Sequence, residues 1–305
     1  MTDTVVDPSI DSDASGALPV AVIGSLSPSR AADFKSCPLL YRFRTIDRIP
    51  ETPSRVAVRG TVVHGVLEKL FDLPRPGRTL DAARGLLTTV WQQLTVDEPG
   101  VAELFTDDVE ATELSEWLES ASQLLGNYFA LEDPSRFEPV AREEKVEVVI
   151  DGLRLRGYVD RLDVNEQGDV RVVDYKTGST PREAFEAKAL FQMKFYALVL
   201  WRTRGVVPRQ LRLMYLADTD TLSYAPDADE LMKFERTLKA IWAAIERATQ
   251  TGDFRPSPSR LCEWCDHQIR CPAFGGTPPP FPSDALAATA HDRRAGDGGV
   301  SGAGA

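Results

Sequence analysis

Two aspartates and a lysine lie close together in the middle of the chain, within segment 157–178. Asp160 precedes Asp174 by fourteen residues, and Lys176 follows two residues later. The largely apolar, β-branched run 170–173 predicts a strand that ends at Asp174. Residues two apart on a strand point to one side, so Asp174 and Lys176 are expected to share a face. Two carboxylates and a lysine grouped in this way suit hydrolysis of a phosphodiester with a divalent metal ion.

Each of these groups has a distinct expected role. Asp160 and Asp174 supply hard oxygen ligands for Mg²⁺, and the carbonyl of Tyr175 is available as a further ligand. Lys176 is expected to orient the attacking water or to stabilise the charge that develops on phosphate. A bare Asp-x-Lys is more often a surface ion pair. The full pattern favours catalysis: Gly-x-x-Asp-Arg-x-Asp, an apolar strand, Asp-Tyr-Lys-Thr-Gly and then a helix.

The elements around this segment predict a mixed α/β fold. Alternating apolar residues and turn signals at Asp151-Gly152 and 167–169 predict three consecutive antiparallel strands, and a further strand follows the next helix. The predicted strands are 143–150, 153–164, 170–175 and 210–216. Helical periodicity is found at 60–73, 79–96, 107–131, 184–201 and 230–248. The second and third of these helices are expected to form a helical subdomain, about 79–131, inserted before the sheet.

The composition is typical of an ordinary globular protein. Its 305 residues are 43% hydrophobic and 27% charged. No apolar run of about 18 residues or secretory leader is found, so we expect a cytoplasmic protein that does not bind membranes. The net charge of −11 argues mildly against a protein that coats nucleic acid, but it allows a local basic groove. Residues 1–22 and 276–305 are expected to be disordered tails around one domain, 23–275.

Further candidate ligands lie far from this segment. His64 and Glu68 are four residues apart in a predicted helix, so they share a helix face. Such a histidine, taken alone, is more often packed or exposed than bound to metal. The four cysteines are Cys37, Cys262, Cys265 and Cys271. In a cytoplasmic chain, metal or cluster ligation explains them better than disulfides, although Cys37 alone is most simply a buried apolar residue.

Together these motifs resemble the RecB-like exonuclease branch of the PD-(D/E)XK nuclease superfamily, which includes the nuclease domain of AddB and the CRISPR-associated single-strand exonuclease. The resemblance extends from about Ser25 to Phe274. It includes Gly-Thr-x-x-His-x-x-Leu-Glu around His64, the two aspartate motifs, and Gln-x-x-x-Tyr at Gln192 and Tyr196. It implies a restriction-endonuclease-like fold, in which a mixed sheet is flanked by helices and followed by a cysteine-containing segment.

The resemblance also implies a role for each site residue. Four groups are expected to bind Mg²⁺ or Mn²⁺: His64, Asp160, Asp174 and the Tyr175 backbone carbonyl. Lys176 is expected to be catalytic, together with the two aspartates. Gln192 and Tyr196 are expected to support the site or contact the substrate, and Glu68 is placed with them. Glu147 matches the superfamily's early acidic position only loosely and is not included.

The resemblance further implies that the four cysteines bind a 4Fe–4S cluster, with one ligand before the nuclease core and three after it, spaced Cys-x2-Cys-x5-Cys. Such a cluster would join the N-terminal helix to the C-terminal segment, and we expect its role to be structural. A zinc ion held by the same cysteines is the alternative. His267 is not expected to be a ligand, because four cysteines complete the set.

These features predict a metal-dependent exonuclease that hydrolyses phosphodiester bonds at single-stranded DNA ends, in DNA repair or recombination. The sequence contains no helicase motor motif, so we expect the protein to act alone or with a separate helicase or repair partner. Two alternatives remain. One is a CRISPR adaptation nuclease with the same chemistry, which only genomic neighbourhood would separate. The other is a non-catalytic DNA-binding protein of the same fold, although the complete set of site residues counts against it.

Overall fold

The structure is a computed structural model that describes residues 24–105, 112–180 and 183–282. Its strands are β1 (Ser25–Leu26), β2 (Ala141–Ile150), β3 (Leu153–Val164), β4 (Val170–Lys176), β5 (Gln210–Tyr215) and β6 (Asp220–Tyr224). Its α-helices are α1 (Pro28–Ser36), α2 (Pro38–Tyr41), α3 (Arg55–Leu70), α4 (Leu80–Asp97), α5 (Pro99–Ala102), α6 (Thr112–Leu131), α7 (Glu183–Arg204) and α8 (Ala228–Thr251). Short 3₁₀ turns carry the chain through its cysteine-rich segment, at Arg260–Trp264, Gln268–Arg270 and Pro272–Phe274.

The strands form one mixed sheet in the order β1-β3-β4-β5-β6, and β2 pairs with β3. Strands β2, β3 and β4 are antiparallel neighbours, as the sequence predicts. The turn between β2 and β3 is short because Asp151 and Gly152 both have positive φ, at 50° and 80°, which a two-residue type I′ hairpin requires. Strand β5 runs parallel to β4, and α7 provides the crossover between them. The mixed α/β fold is therefore confirmed.

Apolar side chains form a core on each face of the sheet. One core includes α1, α7 and α8, and the other includes α3, α4 and α6. In β4, Val172 belongs to the first core whereas Val173 and Tyr175 belong to the second, because successive strand residues point to opposite faces. Helices α4 and α6 of the expected insert therefore pack in the same core as β4, and that core fixes the strand which carries Asp174 and Lys176.

Several boundaries differ from the sequence prediction. Helix α3 begins at Arg55, five residues before the predicted start, because Ser54 caps it by accepting a hydrogen bond from the amide of Ala57. The short strands β1 and β6 were not predicted. Helix α6 is described from Thr112, and the first residues of the predicted helix 107–131 lie outside the described residues.

The predicted tails lie mostly outside the described residues, which begin at 24 and end at 282. Residues 276–282 are described, and Phe281 stacks on Phe254 with ring centroids 5.8 Å apart. The guanidinium of Arg42 lies 5.2 Å from the Phe281 ring centroid. The packed chain therefore extends beyond the expected boundary at 275. In the described part, no helix combines the length and the apolar composition that a membrane span requires.

Candidate active site

The candidate site lies at a fork in the sheet. On one edge, β3 pairs with β2 from residue 153 to residue 162. On the other edge, β3 pairs with β1 at 154–155 and with β4 at 161–164. Within the described chain, residues 156–160 of β3 therefore have no strand partner on that second edge. Strand β4 diverges there and stays paired with β5 as far as Lys176, so Asp160 and Asp174 lie at the two sides of the fork.

His64, Asp160 and Tyr175 meet at this fork. The His64 Nε2 atom lies 2.9 Å from the Tyr175 carbonyl oxygen, and Nδ1 lies 3.4 Å from Asp160 Oδ2. The amide of Tyr175 donates a hydrogen bond of 2.7 Å to Asp160 Oδ2, so this carboxylate replaces part of the missing strand pairing. Helix α3 thus brings His64 to the fork from 111 residues before Tyr175, as a metal-ligand role would require.

Glu143 belongs to the same group, although it was not predicted from the sequence. One ligand atom each from Glu143, His64 and Asp160 lie within 4.8 Å of one another. Glu143 lies opposite Asp160 between the paired positions of β2 and β3 and has a φ of 43°. That left-handed conformation is uncommon for a residue with a side chain and is often found at functional sites.

A signal for Glu143 was present in the sequence. The two-residue turn Asp151-Gly152 pairs Ile150 with Leu153, and counting outward along both strands places Glu143 opposite Asp160. Glu147, the acidic residue considered in the sequence analysis, lies elsewhere. Its carboxylate forms ion pairs with Lys145 at 3.3 Å and Arg154 at 3.5 Å.

Asp174, Lys176 and Gln192 form the other side of the fork. The Lys176 ammonium lies 2.5 Å from Asp174 Oδ2 and donates a 2.9 Å hydrogen bond to Gln192 Oε1. The Gln192 amide in turn donates to Asp174 Oδ1 at 3.0 Å and to the Tyr196 hydroxyl at 3.2 Å. Gln192 and Tyr196 are one helical turn apart, so α7 presents both to the same place. Asp174 is only 2% exposed, and this network offsets the free-energy cost of burying its carboxylate.

Glu68 lies at the margin of the site. Its side chain is exposed, and it lines the small pocket that also contains His64, Glu143 and Asp160. The backbone carbonyl of Glu68 accepts a hydrogen bond from the guanidinium of Arg142, at the start of β2. Glu68 therefore lies on the rim of the site, one helical turn from His64.

The electrostatics of the fork favour a cation among the carboxylates. Burial lowers the pKa of His64, but the Glu143 carboxylate, 3.9 Å from Nδ1, and the charges of Asp160 and Asp174 outweigh burial and raise that pKa to about 9. Burial and the neighbouring charge of Asp174 raise the pKa of Asp160. Both shifts reflect the carboxylates that surround one small space and favour positive charge there, and burial adds to the shift of Asp160.

The donor atoms fit a hard divalent cation. The fork offers an imidazole nitrogen, carboxylate oxygens from three residues and one backbone carbonyl, and Mg²⁺ and Mn²⁺ prefer such oxygen-rich sets. Asp174 Oδ2 is buried and, within the described residues, accepts no hydrogen bond of normal geometry, so it keeps coordinating capacity beside its ion pair with Lys176. In the described chain, the residues grouped closely enough to hold such an ion are His64, Glu143 and Asp160, beside the Tyr175 carbonyl, and Asp174 lies on the other side of the fork, outside this 4.8 Å group.

The four cysteines come together at a second place, between the end of α1 and the C-terminal turns. All four are half-buried free thiols that line one cavity of about 70 Å³. The amide of Ser257 donates a hydrogen bond to Cys37 Sγ at 3.4 Å, and the amide of Ser259 donates to Cys262 Sγ at 3.3 Å. Across the described residues, no three of these sulfurs lie within 4.8 Å of one another.

His267 also lines this cavity but is engaged elsewhere. It is 1% exposed, its Nε2 lies 2.9 Å from Glu51 Oε1, and its ring packs edge-on against Phe43 at a centroid distance of 5.2 Å. Its position is consistent with a set of four cysteine ligands.

Comparisons with known proteins agree with this geometry. The model of the PD-(D/E)XK nuclease superfamily matches residues 25–272. The gene 69 protein of Mycobacterium phage D29 is 25% identical over 283 residues, covering 81% of this chain and 96% of the phage protein. The gene 69 protein of Mycobacterium phage L5 is 32% identical over 130 residues, 42% of each chain.

A solved structure with a similar fold is that of a candidate exonuclease from Eubacterium rectale. It superposes with a TM-score of 0.55 at 13% identity, over 87% of this chain and 94% of that protein. At this identity the likeness concerns the fold alone. The family match spans both sides of the fork and most of the described residues, and on that basis the chain belongs to the PD-(D/E)XK nuclease superfamily.

Proposed function

We propose that this protein is a metal-dependent DNA exonuclease that hydrolyses phosphodiester bonds at single-stranded DNA ends. The observation that carries the proposal is the convergence of Asp160, Asp174 and Lys176 with His64 at the fork between β3 and β4. Asp160, Asp174 and Lys176 lie on the neighbouring strands β3 and β4, whereas His64 comes from helix α3, 96 residues before Asp160. A surface Asp-Lys pair would not require that a distant histidine join it. We propose that the protein acts in DNA repair or recombination, either alone or with a separate helicase.

In this proposal each residue has a defined task. His64, Glu143, Asp160, Asp174 and the Tyr175 carbonyl would hold one or two divalent ions. When bound, these ions supply charge neutralisation and a more acidic water. The Lys176 ammonium supplies positive charge to the phosphoryl oxygens as the nucleophile attacks. Gln192 accepts a hydrogen bond from Lys176, which fixes the direction of the ammonium, and Tyr196 in turn bonds to Gln192.

The assay uses full-length protein purified without oxygen and 5′-labelled single-stranded DNA. With Mg²⁺ or Mn²⁺ we expect progressive shortening of the DNA, and excess EDTA should stop it. Lys176→Ala should abolish cleavage while the protein stays folded, because the positive charge at the fork is lost. Lys233→Ala, which removes an exposed lysine of α8, is the matched control and should cleave normally. Undiminished cleavage by Lys176→Ala would disprove the proposed site.

For the cysteines we propose a structural 4Fe–4S cluster. A zinc ion bound by four cysteines at about 2.3 Å needs sulfurs about 3.8 Å apart, whereas a cluster spreads its ligands more widely. Among the described residues, no three of these sulfurs lie within 4.8 Å of one another, which a zinc site would require, and two sulfurs accept amide hydrogen bonds, a feature that tunes iron–sulfur clusters. Brown protein that contains equal amounts of iron and acid-labile sulfide is expected. Colourless protein with one zinc per chain would contradict the proposal.

A further inference from the structure

A second cleft adjoins the candidate active site. It has a volume of about 730 Å³ and lies between the start of α1, the middle of α7 and strands β2 and β3. Gln192 and Tyr196, which belong to the active site, form one of its walls. Any group bound in this cleft would therefore be next to the reacting phosphate.

The lining of this cleft is basic in a chain whose net charge is −11. Four cationic residues and one acidic residue line it: Arg30, Arg44, Lys145, Arg156 and Asp33. A larger cleft of about 950 Å³, at the other end of β3, has three arginines and four acidic residues in its lining. Positive charge is therefore concentrated in the cleft that reaches the active site, where a polyanion would gain most from it.

Arg156 is the cation best placed to bind an added anion. In the described part of the chain it has no carboxylate within ion-pair distance, whereas Arg44 is paired with Asp33 and Glu51. Burial lowers the pKa of Arg30, and the neighbouring charge of Arg156 lowers it further. Two cations that repel each other in this way favour an anion between them.

Tyr158 gives the cleft an aromatic surface. Its side chain is 58% exposed, which is unusual for a large ring on a strand that is otherwise well covered. Along an extended strand Tyr158 lies about 7 Å from Asp160, and Arg156 lies about 13 Å from it. Gly157 lies between Arg156 and Tyr158 in the chain. Tyr196 packs on it so closely that a Cβ added at Gly157 would lie 2.8 Å from the Tyr196 ring. A ring and a cation thus follow the catalytic carboxylate along one strand.

We propose that this cleft binds single-stranded DNA on its way to the fork, with a base stacked on Tyr158 and a phosphate bound by Arg156. This inference rests on the proposed nuclease function, which supplies the polymer and the reacting bond. A ring flanked by cations is how proteins bind single strands without sequence preference, because every base has a face that can stack. Paired bases do not expose that face, so the cleft selects single strands.

The test measures binding separately from cleavage. Fluorescence anisotropy of a labelled fifteen-nucleotide oligo-dT is followed in EDTA with the full-length protein. Tyr158→Leu is expected to weaken binding about 5- to 150-fold, while Tyr158→Phe keeps the ring and binds as the wild type does. Arg156→Gln should weaken binding and make the slope of log affinity against log salt shallower by about 0.7, the value for one phosphate contact.

Arg209→Gln is the matched control, since Arg209 is exposed and lies in the larger, non-basic cleft. It should leave affinity and salt slope unchanged. Equal effects of Arg209→Gln and Arg156→Gln, or wild-type affinity in Tyr158→Leu, would overturn the proposal. Crosslinking of a 5-bromodeoxyuridine strand to the wild type gives a test without a variant. The crosslinked peptide should contain Tyr158, and crosslinks found only elsewhere would refute it.

Cleavage assays on the same proteins separate the two proposals. If the wild type cleaves DNA but the variants at 156 and 158 bind and cleave normally, the proposed DNA-binding role of the cleft is wrong and the nuclease assignment stands. If the wild type binds DNA through Tyr158 but does not cleave it with any divalent metal ion, the DNA-binding role of the cleft is supported and the nuclease assignment fails.

Discussion

At the scale of single residues, the site depends on backbone positions that local preference would not choose. Glu143 adopts a left-handed conformation that costs about 1–2 kcal/mol for a residue with a side chain. In return its carboxylate faces His64 and Asp160. Gly157 allows Tyr196 to pack directly on the backbone of β3. At Glu143 the backbone conformation is locally unfavourable, and at Gly157 no side chain is present. Both features allow the geometry of the fork.

The first prediction concerns Glu143. Glu143→Gln should weaken the binding of Mn²⁺ about 10- to 100-fold, because it removes a charged oxygen from the group around His64. Isothermal titration calorimetry on the apo protein measures this. Glu147→Gln removes the same charge from the same strand but lies in ion pairs away from the fork, so it should bind Mn²⁺ normally. Equal affinities in the two variants would show that Glu143 is not a ligand.

The second prediction concerns Gly157. An alanine there would place its Cβ 2.8 Å from the Tyr196 ring, so Tyr196 and the Gln192 bonded to it must move. A misplacement of about 1 Å in such a network lowers activity on the order of 100-fold. Single-turnover cleavage rates of Gly157→Ala should show this loss. Gly126→Ala, where an added Cβ meets nothing within 4 Å, should retain activity. A Gly157→Ala enzyme as active as the wild type would remove Tyr196 from the positioning of the site.

At the scale of secondary-structure elements, one buried arginine fixes the fork to α6. Arg161 follows Asp160 directly and is completely buried. Its guanidinium forms an ion pair with Glu132 at the end of α6 and donates a hydrogen bond of 2.7 Å to the Tyr175 hydroxyl. It also contacts Asp163 at 3.1 Å. The two strands that form the fork are thereby linked to the end of α6 through a guanidinium that is fully buried.

The third prediction is the pH dependence of this ion pair. Burial alone would raise the pKa of Glu132, but the hydrogen bonds and charge of Arg161 lower it below its ordinary value of 4.5. A group with a lowered folded-state pKa stabilises the fold above its unfolded value, and that stabilisation is lost as pH falls. Glu132→Gln should therefore cost roughly 3 kcal/mol in unfolding free energy at pH 7, and the difference from wild type should shrink as pH falls below about 4.5.

Urea denaturation at pH 7 and pH 4 measures both quantities. Glu113→Gln is the matched control, because its ion pair with Arg55 is exposed and should contribute less than about 1 kcal/mol at either pH. A Glu132→Gln protein that loses the same free energy at both pH values would contradict the assigned role of Glu132.

At the scale of the whole molecule, the cysteine site connects the two ends of the domain. Cys37 follows α1, and the other three cysteines lie more than two hundred residues later. The cleft proposed for DNA begins at the start of the same helix α1. A group that binds all four cysteines therefore closes the domain and holds the wall of that cleft in place.

The fourth prediction follows from this closure. Cys37→Ser and Cys271→Ser should each lose the cluster and lower the melting temperature, and the double variant should be no worse than either single one, because all three lack the same unit. Iron analysis and thermal melting under anaerobic conditions measure both effects. Ser257→Ala lines the same cavity but contacts Cys37 through its backbone, so it should keep full iron content. Additive losses in the double variant would mean that the cysteines act independently.

Much of this arrangement could be predicted from the sequence. Strand β4 is a β-branched run ending in Asp-Tyr-Lys, and its local pattern alone places Asp174 and Lys176 on one face. The hairpin β2–β3 follows from Asp-Gly between two alternating segments, because those residues accept the positive φ of the turn. The resemblance to the nuclease superfamily, not local pattern, indicated His64, Gln192 and Tyr196, and the structure brings all three to the fork.

Other features depend on contacts between distant segments. The fork exists because β1 and β4 pair with different parts of one edge of β3, and no local pattern describes that split. Glu143 was missed because its importance comes from the strand register opposite Asp160. The basic cleft was missed because its arginines lie on α1, on β3 and beyond α2, and only packing brings them together.

Residue types and local patterns therefore specify the chemical groups of this protein and most of the strands and helices that carry them, since turn preferences and hydrophobic periodicity act over a few residues. Which of those groups share a site depends on the tertiary fold. That choice is made by long-range packing: the two cores fix β4 and α7 around the end of β3, and burial then forces Asp174, Lys176 and Gln192 to satisfy one another.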